Sequence, residues 1–427
     1  MNILLFKMRR FIAEENRFGL RPWQELPCKM LTCAAYLDGQ GFPVEVRDDW
    51  FYQDDAFDGF DLVVCFMPLA DGLYEGLDYL RVAKTRGCVT AMALFDDWTD
   101  MQAQVMADYP FVDFGVRGID TEHNLVHLVR DLVAGGRVDP SGLVVRSNGV
   151  VVDGGTAVLD PQSIQHQRST RRWIEKLQPS TYDHAAIQCS SGCPFKCTFC
   201  TIGDRPIRFR RPQDVADEFA ALPAGMHVRL ISGDILANAP WARSFSELLI
   251  KAGNQVIWDT DTRLNWTGDR ETLDLMLKAG CDELAVGVES YHPKVLNSLR
   301  KGYRPEVITE GIRNILDSGM KVGLNMMIGA PDDSDETLEA TETFLRQVPE
   351  GVRLVGIQYL RPSPGTEIHD QVVQLGLLEN NAFRYTDVFR ARNVPSLPTR
   401  HLSKEQLVVW RKRLEDAFFS SRRNADR

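Results

Sequence analysis

The chain lacks several features that would assign it to a broad class. No uninterrupted apolar stretch approaches the roughly 20 residues that span a bilayer, which excludes a transmembrane helix. The nine cysteines do not form evenly spaced pairs, and the opening residues MNILLFKMRRFIAE have too short an apolar run for a signal peptide. No short-period repeat or low-complexity tract is present. We therefore expect a soluble, cytoplasmic protein with no membrane partner.

An excess of positive charge is also absent. Asp and Glu number 59 against 49 Lys and Arg, and the net charge is −10. No global field attracts a nucleic-acid backbone, which argues against a nucleic-acid partner. One basic stretch runs from Arg205 to Arg211 in DRPIRFRR. We interpret it as a solvated helix entrance, with recognition of an anionic group as the alternative.

The first part of the chain has the pattern of an α/β domain. Apolar runs of strand length, such as NILLF, FPVEVRD, FDLVVCFMP and CVTAMALF, alternate with helical patterns such as CKMLTCAAYLDGQG and TEHNLVHLVRDLVAGG. Because parallel strands need crossover connections, this alternation predicts a Rossmann-like, doubly wound sheet. A hairpin with Asn148-Gly149 at its turn follows. We predict a first domain at 1–155 and a linker at 156–184.

The alternation resumes from Ala185 around a different centre. Six candidate strands are HAAIQC, HVRLIS, QVIWDTDT, ELAVGVES, KVGLNMMIG and RLVGIQYLRP, with helical segments between them. Six such units predict a partial (β/α)6 barrel over 185–375, with functional residues at the carboxyl ends of its strands. The tail, 376–427, is predicted to be a small helical extension containing the helix SKEQLVVWRKRLEDAFFSS.

A compact set of cysteines indicates the chemistry. Cys193, Cys197 and Cys200 stand at the spacing Cys-x3-Cys-x2-Cys in CSSGCPFKCTFC. Three thiolates suit a [4Fe–4S] cluster whose fourth iron is left for a ligand from outside the protein. The alternative is a zinc site with Cys189 as fourth ligand. Zinc motifs usually place two pairs across a longer gap, which favours the cluster and makes Cys189 a buried neighbour.

These cysteines and the motifs that follow them resemble the radical S-adenosylmethionine (SAM) superfamily over residues 185–370. The resemblance implies that the amino and carboxylate groups of SAM chelate the open iron. It also places Phe199 beside the adenine. The run Ser232-Gly233-Asp234 is similar to the glycine-rich motif that holds the amino group of SAM, although Asp234 could instead be an ordinary helix cap.

The same resemblance extends to later strands. In TRLNWTGDRETLDLMLKAGCDELAVGVES it places Arg263 and Glu289 at strand ends that face the cofactor. Glu289 and Ser290 are predicted contacts to ribose or carboxylate, with a salt bridge inside the barrel as the alternative. In GLNMMIGAPDDSDET, Ile328 and Gly329 would let the backbone approach the adenine, or the glycine would serve the turn alone. The run RPSPGTE resembles the motif that closes the sixth strand.

The first domain resembles the cobalamin-binding domain that precedes the radical SAM core in one large subgroup. The chain departs from that pattern in two ways. It has no Asp-x-His-x-x-Gly sequence, and ALFDDWTD places Asp96, Asp97 and Trp98 where glycines are common. Those side chains add bulk and negative charge near the site of a nucleotide phosphate. A bound cobalamin and a vestigial cobalamin-like domain both stay open.

The resemblance implies an enzyme that uses SAM to generate a 5′-deoxyadenosyl radical, with an electron donor such as flavodoxin or ferredoxin. With cobalamin, the expected reaction is C-methylation of a small-molecule or natural-product intermediate. Without it, the alternatives are a radical cyclisation, rearrangement or oxidation. A non-catalytic Fe–S or cobalamin carrier or sensor is disfavoured, because a carrier needs no open iron beside SAM motifs.

The substrate is not specified by these patterns. Its candidate determinants are Tyr359 and Arg361 at the end of the sixth strand, and Tyr385 or Arg390 in the tail. Arg361 could clamp a carboxylate or phosphate, or pair with a carboxylate such as Glu289.

Overall fold

The structure is a computed structural model. It describes residues 1–8, 25–48, 57–67, 72–94, 101–118, 120–155, 170–378, 383–390 and 394–423. The chain divides into two compact units, Met1–Ser191 with Arg208–Arg229 and Gly192–Ile207 with Leu230–Arg427. The limits expected from the sequence, 1–155, 156–184, 185–375 and 376–427, stay predictions beside this division.

The first unit alternates strands and helices. Its strands are β1 (Ile3–Lys7), β2 (Glu25–Leu26), β3 (Val44–Asp48), β4 (Leu62–Met67), β5 (Val89–Leu94), β6 (Phe114–Val116), β7 (Leu143–Ser147), β8 (Val150–Asp153), β9 (His184–Gln188), β10 (Ser190–Ser191) and β11 (Arg208–Phe209). Its helices are α1 (Cys28–Gly39), α2 (Leu73–Thr85), α3 (Gln102–Asp108), α4 (Thr121–Ala134), α5 (Arg171–Lys176) and α6 (Pro212–Phe219).

Seven of these strands form one sheet in the order β3-β1-β4-β5-β6-β7-β8. The first five are parallel, with Ile3 of β1 opposite Val44 on one side and Leu62 on the other. Every residue of β1 and β4 is buried, as in a sheet covered by helices on both faces. The predicted doubly wound, Rossmann-like sheet is confirmed.

The predicted hairpin closes this sheet. Strands β7 and β8 are antiparallel, and Ser147 pairs with Val150 across the turn. Asn148 and Gly149 both have positive φ, 50° and 78°. This is the conformation that a two-residue hairpin turn requires and that Asn-Gly readily adopts.

The basic stretch near residue 210 is largely ion-paired. Arg208 donates to Asp120 at 2.6 Å, and Arg211 donates to Asp214 at 2.7 Å. Arg210 is buried and donates to the buried carboxylate of Glu218 at 2.5 Å. The expectation of a solvated helix entrance is therefore wrong for Arg210, because a buried carboxylate neutralises it.

The second unit contains most of the strands and helices of the predicted barrel, whose first strand, β9, belongs to the first unit. Its strands are β12 (His227–Ile231), within which the division of units falls, β13 (Ile257–Thr262), β14 (Cys281–Glu289), β15 (Lys321–Ile328) and β16 (Val352–Tyr359). Its helices are α7 (Ala239–Lys251), α8 (Arg270–Lys278), α9 (Pro293–Ser298), α10 (Pro305–Asp317), α11 (Asp335–Gln347), α12 (Glu367–Gln374), α13 (Tyr385–Arg390) and α14 (Lys404–Arg423).

All six strands predicted for the barrel are present. Strands β12 to β16 follow one another in the sheet in chain order, and β13 to β16 pair in parallel. The predicted C-terminal helix is α14, which packs along α11. Trp410 of α14 donates to Asp335 at the start of α11 over 2.7 Å. Among the described helices, none is long and apolar enough to cross a membrane.

The buried pair of Arg210 and Glu218 gives a stability prediction. Glu218→Ala leaves a buried guanidinium without its counter-charge, so we expect the free energy of unfolding to fall by about 3–5 kcal/mol. Glu175→Ala, which removes the exposed partner of Arg171, should change it by no more than about 0.5 kcal/mol. Urea unfolding followed by circular dichroism measures both. Equal effects of the two substitutions would contradict the structural role of Glu218.

Candidate functional site

The three predicted cluster ligands lie on one loop of the second unit, 192–207. The Cys193 side chain is buried, whereas Cys197 and Cys200 are partly exposed. Backbone hydrogen bonds close the loop on itself: the Arg205 amide donates to the Cys193 carbonyl at 3.0 Å, and the Cys200 amide donates to the Cys197 carbonyl at 3.1 Å. The loop therefore brings its three thiols to one region before any metal is bound.

Glycines allow neighbouring backbone to lie unusually close to this loop. A Cβ at Gly233 would fall 2.3 Å from the Gly192 carbonyl oxygen and 3.3 Å from the Cys193 Cβ. A Cβ at Gly203 would fall 2.7 Å from the Phe195 carbonyl oxygen. No real Cβ tolerates such distances, so glycine is required at both positions. The Ser232-Gly233-Asp234 run predicted from the sequence lies directly against the cysteine loop.

Thr198 fixes the middle of the loop. Its amide donates to the Leu299 carbonyl at 3.2 Å, and its hydroxyl donates to the Ser298 carbonyl at 3.4 Å. Its own carbonyl accepts from the Ile368 amide at 2.9 Å. The loop is thus bonded to the end of α9 and the start of α12.

The spacing of the thiols distinguishes between the two metal sites considered. Zn–S bonds of about 2.3 Å in a tetrahedron place ligand sulfurs about 3.8 Å apart. Among the described His, Cys, Asp and Glu side chains, Asp120, Glu122 and His123 are the one group with three ligand atoms within 4.8 Å of one another. The three cysteine sulfurs therefore do not all lie within 4.8 Å of one another, and they are not gathered as ligands of a single zinc ion in this structure.

Two other sets of candidate metal ligands are Cys189 and the acidic group of the first unit, Asp120, Glu122 and His123. All nine cysteines lie in described residues and none is in a disulfide, and Cys189 is fully buried, as expected for a packing residue. In the acidic group of the first unit, Asp120 accepts two hydrogen bonds from Arg208, at 2.6 and 2.8 Å. That contact neutralises Asp120 with a protein cation.

Asp234 is fully buried and bonded by the protein. Its carboxylate accepts from the Thr262 hydroxyl at 2.9 Å, the Arg263 amide at 3.2 Å and the Trp266 indole N–H at 2.8 Å. It makes no side-chain capping bond, so the helix-cap alternative is wrong. Burial raises the pKa of Asp234 in spite of these donors. Its predicted contact with the SAM amino group stays a prediction.

The Arg263 guanidinium lies against the cysteine loop. Its Nη1 donates to the Cys197 sulfur at 3.5 Å, and its Nη2 donates to the Lys301 carbonyl. The guanidinium carbon lies 3.9 Å from the centre of the Phe195 ring and 4.7 Å from that of Tyr303. The predicted position of Arg263 beside the cofactor site thus corresponds to a contact with a cluster ligand.

Glu289 and Lys301 form a buried ion pair with a 3.2 Å separation. The salt bridge considered as the alternative role of Glu289 is therefore present, and its contact with SAM stays a prediction. Burial lowers the pKa of Lys301, but the charges of Glu289, Tyr303 and Cys197 outweigh burial, so the net pKa is raised. The Lys301 Nζ lies 5.8 Å from the centre of the Phe199 ring.

Phe199 lies on the apolar side of the same region. It packs against a cluster of buried side chains from α9, α12 and the ends of β15 and β16: Val295, Leu299, Ala330, Leu360 and Ile368. This places Phe199 near the fifth-strand segment that the sequence predicted to approach the adenine. The packing role of Phe199 against adenine itself stays a prediction.

The fifth-strand segment is held by a carboxylate that the sequence did not single out. Ile328 is fully buried, and Gly329 has φ of 95°. Asp333 accepts from the Gly329 amide at 2.8 Å and the Ala330 amide at 3.0 Å. Ser290, also buried, accepts from the His292 amide at 3.2 Å. Both side chains shape the loops that follow β15 and β14.

The candidate substrate residues have protein contacts. Tyr359 is buried, and the Arg411 guanidinium of α14 lies 5.0 Å from the centre of its ring. Arg361 is half-buried, and its proposed partner Glu289 is bonded to Lys301 instead. Tyr385 is buried. The substrate roles of these residues stay predictions. The side chain of Arg390 and residues 95–100, which include Asp96, Asp97 and Trp98, lie outside the described part of the chain.

Lys301, Tyr303 and Asp333 are the functional-site residues that sequence reasoning missed. Lys301 and Tyr303 flank Gly302, whose φ is 67°, in a short loop with no strand pattern. The Tyr303 hydroxyl accepts from the Leu264 amide at 3.2 Å. A buried carboxylate such as Glu289 calls for a nearby cation, but spacing along the chain does not identify which one.

Comparison with known proteins agrees with this geometry. Residues 187–345 match the family model described as Radical SAM superfamily. The chain therefore contains a radical SAM domain, as its motifs predicted. The structure also shares its fold with TsrM of Kitasatospora setae, a radical SAM methyltransferase solved with cobalamin and a [4Fe–4S] cluster. That match has a TM-score of 0.70 at 17% identity and covers 88% of this chain and 75% of TsrM.

A second structure, the cobalamin-dependent radical SAM enzyme OxsB, matches with a TM-score of 0.67 at 15% identity over 88% of this chain and 55% of OxsB. The fold predicted from the sequence is thus shared with TsrM and OxsB.

Curated relatives are similar over part of their length. An uncharacterized methyltransferase of Pyrococcus horikoshii is 24% identical over 55% of this chain and 51% of its own length. The hopanoid C-2 methylase of Rhodopseudomonas palustris is 28% identical over 50% and 42%. The anaerobic magnesium-protoporphyrin IX monomethyl ester cyclase of Cereibacter sphaeroides is 28% identical over 57% and 42%. The matches span about half of these relatives or less.

The buried Asp333 gives a pH prediction. Burial raises its pKa from 3.8 to about 7, although the Gly329 and Ala330 amides lower it in part. The folded state then holds a proton that the unfolded state has lost, so this group's contribution to stability falls as pH rises from about 4 to about 7. In Asp333→Asn this fall, on the order of 4 kcal/mol, should be absent.

Urea unfolding of the wild type and Asp333→Asn at a series of pH values between 4 and 7 measures it. The stability difference should move steadily in favour of Asp333→Asn as pH rises. Parallel pH profiles would contradict the raised pKa. Gln347→Ala, which changes an exposed residue without a titrating group at the end of α11, is the control, and its difference from the wild type should be the same at every pH.

Proposed function

We propose that the chain is a radical SAM enzyme, and specifically a cobalamin-dependent C-methyltransferase that acts on a small-molecule or natural-product intermediate. One observation carries the proposal: a loop with three separated thiols, Cys193, Cys197 and Cys200, lies within a fold shared with cobalamin-dependent radical SAM enzymes. The methylase names of the curated relatives support methyl transfer.

Cys193, Cys197 and Cys200 would hold the cluster, which would supply the electron for the reductive cleavage of SAM. Metal binding requires thiolates. Burial raises the pKa of the Cys193 thiol, so its proton leaves most readily when a metal takes the sulfur.

The surrounding side chains would bind and shield SAM. Phe199 and the apolar cluster beneath it supply a surface for a flat, weakly polar base. Glu289 and Lys301 place one negative and one positive charge at the end of β14, where the polar head of SAM must exchange water for protein contacts. Asp234 keeps Thr262 and Arg263 at fixed positions beside the loop. A radical requires exclusion of water and other reactants, and this largely buried wall provides it.

The proposal that the protein binds cobalamin rests on the fold of the first unit. At the carboxyl ends of β1 and β3, Lys7 and Asp48 lie 3.7 Å apart, so they neutralise each other. The chain between β1 and α1 contains no histidine to serve as a lower axial ligand. That segment thus offers no histidine to cobalt, and the methyl-transfer step is not assigned to any side chain of the first unit.

A second candidate function is a radical cyclisation, rearrangement or oxidation without methyl transfer. The magnesium-protoporphyrin ester cyclase of Cereibacter sphaeroides supports it, since its identity to this chain equals that of the hopanoid methylase. Either enzyme would need a low-potential electron donor such as flavodoxin or ferredoxin, and a small-molecule substrate. Tyr359 and Arg361 are the proposed substrate contacts.

Loss of one cluster ligand tests the radical SAM assignment. Cys197→Ala should abolish the brown absorbance of anaerobically reconstituted protein and all conversion of SAM to 5′-deoxyadenosine, because the cluster has no spare thiolate. Iron analysis and chromatography of the SAM products measure this. Cys281→Ala removes a buried thiol of β14 and should retain both properties. Retained SAM cleavage in Cys197→Ala would overturn the assignment.

Metal content separates the two candidate functions. Protein purified anaerobically from cobalamin-fed cells and reconstituted with iron and sulfide should contain about four irons. One cobalt per chain, with corrin absorption in the visible spectrum, is the result expected of the methyltransferase. Four irons without cobalt would instead support the cobalamin-free radical enzyme.

A further inference from the structure

Arg263 is a buried cation whose guanidinium makes no hydrogen bond to a carboxylate. Its side chain is 8% exposed. One Nη donates to the Cys197 sulfur and the other to the Lys301 carbonyl, while Nε has no hydrogen-bond partner. Burying an unpaired guanidinium is costly, so its position calls for a negative partner. Within the described residues, the Cys197 sulfur is the group hydrogen-bonded to the guanidinium that can become negative.

The neighbouring cation differs in this respect. Lys301 is also buried, but Glu289 neutralises it at 3.2 Å. The Asp234 carboxylate accepts a hydrogen bond from the backbone amide of Arg263. Its other donors are the neutral Thr262 hydroxyl and Trp266 indole N–H. The Arg263 guanidinium therefore faces the cysteine loop without a carboxylate bonded to it.

Aromatic rings hold this guanidinium in place. The rings of Phe195 and Tyr303 lie 3.9 and 4.7 Å from its central carbon. Phe195 is itself part of the cysteine loop, and the Tyr303 hydroxyl is bonded to the Leu264 amide. The planar cation is thus confined between two faces by cation–π contact, with its fork directed at the sulfur.

We infer that Arg263 is a positioning residue that makes the cluster easier to reduce. This inference rests on the proposed function. One-electron reduction, by a low-potential donor in the cell or by dithionite in the assay, adds one negative charge to the cluster and its thiolates. A fixed positive charge bonded to one ligand sulfur stabilises that added charge more than it stabilises the oxidised state. Hydrogen bonds to the sulfurs are among the factors that set cluster potentials.

The test is a redox titration of reconstituted protein without SAM or substrate, with dithionite as reductant and electron paramagnetic resonance as readout. In Arg263→Met, the ratio of reduced to oxidised cluster at a fixed ambient potential should fall at least about tenfold, which equals about 59 mV for one electron. Arg263→Lys keeps the positive charge on which the proposed effect depends, and it should stay within about threefold of the wild type. Arg270→Met, which removes an exposed cation of α8, is the control and should match the wild type.

The cluster content and redox ratio of the Arg263 variants decide between the possible roles of this residue. An unchanged ratio in Arg263→Met overturns the inference and leaves the proposed function intact, and it is also the result expected if Arg263 served only to bind SAM. A wild type that binds no cluster refutes the proposed function instead. Should Arg263→Met bind no cluster, Arg263→Gln provides the same comparison. If neither uncharged variant binds a cluster while Arg263→Lys does, Arg263 acts in assembly and the inference is overturned.

Discussion

The bonding of a single residue, Thr198, underlies the whole candidate site. Its amide, carbonyl and hydroxyl are bonded to residues roughly 100 and 170 positions later in the chain. A surface loop of this length would otherwise have many conformations, and each ordered residue costs about 1–2 kcal/mol of backbone entropy. The three hydrogen bonds of Thr198 offset part of this entropy loss in the folded protein. The loop that carries the three thiols is therefore ordered before a metal binds.

Around this loop, the strand ends carry an unusual number of buried charged groups. Asp234, Glu289, Lys301 and Arg263 are all less than 10% exposed. Burial of charge opposes folding, and a barrel interior would be more stable with apolar residues of similar volume. A protein can retain such destabilising residues where binding of a charged cofactor requires buried polar groups. We therefore expect these four charged residues to lower the stability of a domain whose centre is otherwise apolar.

Local patterns allowed much of the fold to be predicted. Asn148-Gly149 specified its hairpin because few other dipeptides adopt two consecutive positive φ values easily. The cysteine spacing identified the cluster loop for a similar reason, since it reflects short-range geometry. In contrast, β2 has only two residues and pairs with β9, nearly 160 residues away. Lys301 and Asp333 were missed because their roles depend on partners brought near by tertiary folding.

Glu289 is set in the site by an irregularity of its strand. Along β14, Gly287 pairs with Asn325 and Glu289 pairs with Met326, so Val288 is an extra residue that has no counterpart on β15. Such a bulge turns the following side chain toward a new direction, and here Glu289 has φ of 66°, a strained value for a residue with a side chain. Side chains alternate between the two faces of a strand. The location of this carboxylate therefore depends on the count of residues in β14 as well as on their chemistry, and losing one residue would direct Glu289 to the opposite face of the sheet.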